Sequence, residues 1–124
     1  MGIFDFFKPN IIASPLIDRA KYQEKWQQIE EMLRTKRESS VKHALLEADK
    51  LLDLGLIDKK IKGKTMGERL KASVKLFDNN LYNEIWQAHK LRNQMVHEDS
   101  EILSFQVETK ILVFKRALKA LNLL

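Results

Sequence analysis

Residues 39–55, Ser39-Ser40-Val41-Lys42-His43-Ala44-Leu45-Leu46-Glu47-Ala48-Asp49-Lys50-Leu51-Leu52-Asp53-Leu54-Gly55, decide the fold class of this chain. Val41, Leu45, Ala48, Leu51 and Leu52 recur at three- and four-residue spacing, which gives one apolar face to an α-helix. Ser39 or Ser40 is the expected N-cap and Gly55 the expected stop. Such a face has to be buried against partners, and the flanking sequence supplies more helices. Upstream, Ser14-Pro15 is read as a cap with proline at the first helical position. Leu16, Tyr22, Trp26, Ile29 and Leu33 continue that helix to about Arg37.

Downstream, residues 55–64 form a lysine-rich connection. Thr65-Met66-Gly67-Glu68 reads as a capping box before Leu70, Val74 and Phe77. Asp78-Asn79-Asn80 is expected to end this third helix and cap a fourth over about Leu81 to Val96, which carries Ile85, Trp86 and Leu91. The polar stretch Glu98 to Ser100 interrupts the pattern. A last helix starts near Ser104 with Val107, Ile111, Phe114, Leu118 and Leu121 on one stripe. No segment alternates with a period of two, so the expected fold is all-α, an antiparallel bundle of about five helices.

Composition agrees with that class. The chain has 124 residues, enough for one domain, and is 44% hydrophobic and 31% charged, which is globular rather than disordered. Only 4 Gly and 2 Pro argue against a turn-rich sandwich. The absence of Cys excludes a disulfide scaffold, a thiolate metal site and a cysteine nucleophile. A core this modest would gain from dimerisation. Residues 14–124 form the helical domain. Residues 1–13 stand apart as an apolar segment in which Ile3, Phe4, Phe6 and Phe7 are crowded together. Neither a basic run before them nor a cleavage pattern after them marks a signal peptide, and no apolar run reaches the ~18 residues of a membrane span. The expected location is cytoplasmic. The segment is read as packing on the domain or its dimer mate, with weak membrane association through Phe4, Phe6 and Phe7 as the alternative.

The formal charge of +5 is unevenly spread. Residues 1–54 sum to zero, and residues 55–75 hold seven basic and two acidic side chains. Residues 76–108 carry two basic and six acidic side chains, and residues 109–124 carry four basic and none acidic. Lys59, Lys60, Lys62 and Lys64 therefore stand out as candidate RNA-phosphate contacts, the alternative being a solvated face. Lys110, Lys115, Arg116 and Lys119 lie late in a helix, where cations suit the dipole.

Gly63-Lys64-Thr65 resembles the end of a phosphate-binding loop, but Asp58 stands where the pattern requires glycine and no strand precedes it; Thr65 is read as a helix cap. Of the three histidines, His89 and His97 lie eight apart, too far for one ion on a straight helix, so no metal and no cofactor is expected. The informative stretch is His89-Lys90-Leu91-Arg92-Asn93-Gln94-Met95-Val96-His97-Glu98. His89, Asn93 and His97 share one helical stripe, with Arg92 on its edge. Imidazole works as acid or base near neutral pH, and guanidinium offers a planar fork to phosphate oxygens. Those are the groups that metal-free RNA cleavage requires. In the competing reading Arg92 pairs with Glu98, Asp99 or Glu101, Asn93 caps the helix, and His97 bonds the backbone.

Arg92-Asn93-Gln94-Met95-Val96-His97 is similar to the Arg-x4-6-His motif of HEPN domains, and Leu91-Arg92-Asn93 with Val96-His97-Glu98 resembles wording common in HEPN-like bacterial proteins. The resemblance covers about residues 20–122. It implies a helical bundle that dimerises so that two motifs form one composite site. It further implies a metal-independent endoribonuclease on single-stranded RNA, found in toxin–antitoxin or defence systems with an antitoxin or regulatory partner. Arg92 would stabilise the phosphorane, Asn93 would position it and His97 would serve as acid or base. His89 is an accessory candidate on stripe geometry alone. The alternative is a non-catalytic HEPN-like dimerisation or interaction module.

Overall fold

A computed structural model describes residues 17–97 and 104–124 of the chain. Five α-helices follow one another: α1 (Arg19–Arg34), α2 (Glu38–Asp58), α3 (Met66–Ala72), α4 (Asn79–His97) and α5 (Ser104–Ala120), with a 3-10 turn at Val74–Leu76 between α3 and α4. No strand occurs among the described residues. The protein is an all-α bundle.

The centre is α2, which packs on α5, α1, α4 and α3. Val41, Leu45, Ala48, Leu51 and Leu52, the stripe expected from the sequence, are all buried. They meet Tyr22, Trp26 and Ile29 of α1, Ile85 of α4, and Ile111, Phe114 and Leu118 of α5 in one core. Each fully buried Leu, Ile or Phe in it contributes about 1.5–3 kcal/mol relative to exposure.

Helix ends differ from the sequence expectations for local reasons. The first described helix is capped by Asp18, whose carboxylate accepts from the Lys21 amide, and it ends at Arg34. Ser14 and Pro15, expected to open it, lie outside the described residues, as do Leu16, Ile3, Phe4, Phe6 and Phe7. In α2 the N-cap is Arg37, without a side-chain cap, so neither Ser39 nor Ser40 serves. Gly55 does not stop α2. It lies inside the helix, where a Cβ would stand 2.7 Å from Leu123 Cδ1, and its bareness lets the tail of α5 lie close. The stop is a Schellman turn: Ile61 N donates to Leu56 O and Lys60 N to Ile57 O, with Lys60 left-handed at φ 64°.

The expected cap of α3 is present, since Thr65 Oγ1 accepts from Glu68 N while Glu68 Oε1 accepts from Lys64 N. The helix ends at Ala72, well before Asp78. The Leu70 carbonyl that would continue it is taken by Ser73 N, Ser73 Oγ and Tyr82 Oη. Val74, expected in the core, is consequently exposed, whereas Phe77 is buried. Asp78 caps α4 by accepting from Leu81 N, as its position predicts.

Three contacts fix the directions of the helices. Tyr22 Oη donates to Asp58, so the start of α1 lies by the end of α2. Gly55 faces Leu121 and Leu123, which brings the end of α5 to the same place. Arg69 holds Asp53 while Tyr82 reaches Leu70, which brings the start of α4 there through α3. The four long helices therefore run up and down, with α3 laid across one end.

Candidate functional site

On α2, Asp49 occupies a position that continues the apolar stripe: Leu45 precedes it by four residues and Leu52 follows by three, both fully buried. It is 3% exposed. A carboxylate in such a place requires partners, because an isolated buried charge is costly. They come from α4. His89 Nδ1 lies 2.8 Å from Asp49 Oδ1, and Arg92 Nε lies 3.4 Å from Asp49 Oδ2. His89 and Arg92 are three residues apart, so one turn of α4 presents both to the same carboxylate. Arg92 Nη1 in turn donates to Asn93 Oδ1 at 3.0 Å.

The details divide the labour. Asp49 is the acceptor facing His89 Nδ1, which leaves Nε2 as the ring nitrogen turned away from the carboxylate. Trp86 meets the His89 ring edge-on at 6.0 Å, and Tyr82 meets Trp86 likewise at 6.4 Å, so an aromatic ladder along α4 holds the imidazole in place. Arg92 Nε is at ion-pair distance from Asp49 but outside hydrogen-bonding geometry, and has no other partner. The Arg92 side chain is one-third exposed. The cluster is thus a buried acid and imidazole topped by a guanidinium and an amide that reach the surface.

Of the sequence candidates, His89, Arg92 and Asn93 are brought together, and the missing member was Asp49. Its signal in the sequence is a charge on an otherwise apolar stripe. The Arg92 partner observed is Asp49; Glu98, Asp99 and Glu101, the partners considered from sequence, lie outside the described residues. His97 closes α4, which runs unbroken from Arg92 to His97. On a continuous helix those two positions are about 140° apart.

Lys59, Lys60, Lys62 and Lys64 are exposed but do not join this cluster. Ten residues of helical rise place Lys59 about 15 Å along α2 from Asp49, toward the opposite end of the bundle. The basic last helix is largely occupied. Arg116 pairs with Glu84 at 3.1 Å, Lys115 with Glu30 at 3.3 Å, and Lys110 donates to Gln87. A groove of about 300 Å³ between α1 and α2, lined by Ile29, Met32, Leu51, Leu54 and Ile57 among others, does not touch the cluster. No helix among the described residues is long and apolar enough to cross a membrane.

Comparison with known protein families, curated proteins and solved structures finds no match for this chain.

Proposed function

We propose that the protein is a metal-independent endoribonuclease of HEPN type, acting on single-stranded RNA as a homodimer. The observation that carries the reading is the convergence of His89, Arg92 and Asn93 around Asp49 on the helix that ends in His97. In this reading a histidine takes the proton of a ribose 2′-hydroxyl, and its oxygen attacks phosphorus. The bond from phosphorus to the 5′-oxygen breaks, and that oxygen is protonated by a second imidazole. The products are a 2′,3′-cyclic phosphate and a 5′-hydroxyl. Arg92 balances the charge that gathers on the phosphoryl oxygens, and Asn93 orients them. His97 is the acid or base that α4 presents near its end, with a second copy of the chain supplying its counterpart. Three exposed apolar residues suit a second copy at that end: Val96 follows Arg92 by one turn, and Phe105 and Leu112 share a stripe of α5.

A second reading rests on the same carboxylate. Asp49 faces His89 at hydrogen-bonding distance and Arg92 at ion-pair distance, as in a structural ion network, and the chain is then a non-catalytic interaction module. Labelled single-stranded RNA incubated with the purified protein in EDTA separates the two. The nuclease reading expects fragments ending in cyclic phosphate, abolished by Arg92→Ala and by His97→Ala with helicity and dimer mass retained. An intact RNA pool, or variants that lose activity only because they unfold, leaves the interaction module.

A further inference from the structure

We propose that the lysine-rich end of the bundle docks on an anionic lipid bilayer. This is independent of the nuclease reading, since the surface lies at the end of the molecule away from His97.

Six exposed lysines, Lys59, Lys60, Lys62, Lys64, Lys71 and Lys75, are collected there by the end of α2, the following loop, α3 and the 3-10 turn. None has an acidic side chain within 4 Å among the described residues, whereas other surface cations such as Lys36, Lys115 and Arg116 do. The acids of this end are engaged. Asp53 is clamped by Arg69 at 2.7 and 2.8 Å, Asp58 accepts from Tyr22, Glu68 accepts from the Lys64 amide, and Asp78 caps α4. Only Asp53 is paired with a cation; Asp58, Glu68 and Asp78 meet neutral donors, but the six lysines outnumber them, so the patch is net positive, which suits an anionic surface.

Three features favour lipid over RNA. Ile57, Val74 and Leu76, each close to half exposed, stand among the lysines as aliphatic groups able to enter the headgroup boundary. Among the described residues no exposed aromatic side chain lies on this end to stack a base, and Arg69, which would grip a phosphate with two donors, is already held by Asp53 and the Gly63 carbonyl.

The test is flotation of the full chain with vesicles of phosphatidylcholine alone or with a third phosphatidylglycerol, at low and high salt, beside binding of labelled oligouridylate. Binding to the anionic vesicles only, lost at high salt, is expected. Lysines near an anionic membrane are worth about five-fold each. Replacing four of them together, Lys59→Gln, Lys60→Gln, Lys62→Gln and Lys64→Gln, is expected to weaken partitioning at least a hundred-fold with unchanged helicity. Ile57→Ser with Leu76→Ser is expected to weaken it at constant charge. Indifference to anionic lipid overturns the proposal. So does vesicle binding that survives the lysine changes and vanishes only on deleting residues 1–9. Lysine-dependent capture of oligouridylate without vesicle binding assigns the surface to RNA instead.

Discussion

Asp49 is buried inside the bundle with two partners on α4. With Asp49→Ala, His89 Nδ1 loses its hydrogen-bond partner in a buried setting and Arg92 loses its ion-pair partner, and a buried group left without a partner typically costs about 1–3 kcal/mol. Urea unfolding checks this; a loss below about 1 kcal/mol would show that water solvates the cluster freely. Tyr22 makes a second residue-scale prediction. Burial, and then its hydrogen bond to Asp58, raise its hydroxyl above the ordinary value of 10. The folded state thus favours neutral tyrosine. Its contribution is complete below pH 10 and is lost as pH rises through the folded value, because the unfolded chain ionises first. Stability is expected to fall in alkali above pH 10, and Tyr22→Phe is expected to remove that part of the fall.

Among the α-helices, α3 is the shortest and leans most on its ends. Thr65 Oγ1 satisfies the Glu68 amide, and Thr65→Ala is expected to cost about 1 kcal/mol. Arg69 then pins this short helix to Asp53 of α2 and to the Gly63 carbonyl. Gly63 itself is at φ 147°, with Arg69 N only 2.8 Å from where a Cβ would stand, so the loop needs glycine there. Hydrogen exchange is the measurement for this element: Thr65→Ala should raise exchange at the Glu68 amide and neighbouring α3 amides while leaving α2 protected.

At the scale of the molecule, the acidic block of residues 76–108 and the basic block of residues 109–124 meet at one ion pair among the described residues, and other charges of both blocks pair with the rest of the bundle. Glu84 meets Arg116 across α4 and α5, and Lys36 meets Glu108 across the far end. What remains is a bundle with unlike ends: the lysine patch at one, and the end of α4 with the exposed Phe105 and Leu112 of α5 toward the other. Phe105 is 77% exposed, an arrangement common at interfaces. Phe105→Glu with Leu112→Glu is expected to reduce a dimer to a monomer without loss of helicity. Light scattering reads the mass, and a dimer unmoved by both changes places its contact elsewhere.

Helix type and the core stripes were legible because periodicity is a local property, and Leu45, Leu52, Ile111 and Phe114 are buried as their spacing predicts. The caps at Thr65 and Asp78 were legible because a cap is made within four residues. Where long-range contacts override local rules, the sequence reading failed. Leu123 packs on Gly55 inside α2, and Tyr82 takes the carbonyl that α3 needed to continue. His89, Arg92 and Asn93 could be picked out from one turn of a helix, but the Asp49 that binds two of them is 40 residues distant from His89 in the chain. The amino-acid order determined which faces were apolar and which residues could carry a charge. Only the packing of α2 on α4 decided which charges meet, because an ion pair depends on distance in space, which sequence separation does not set.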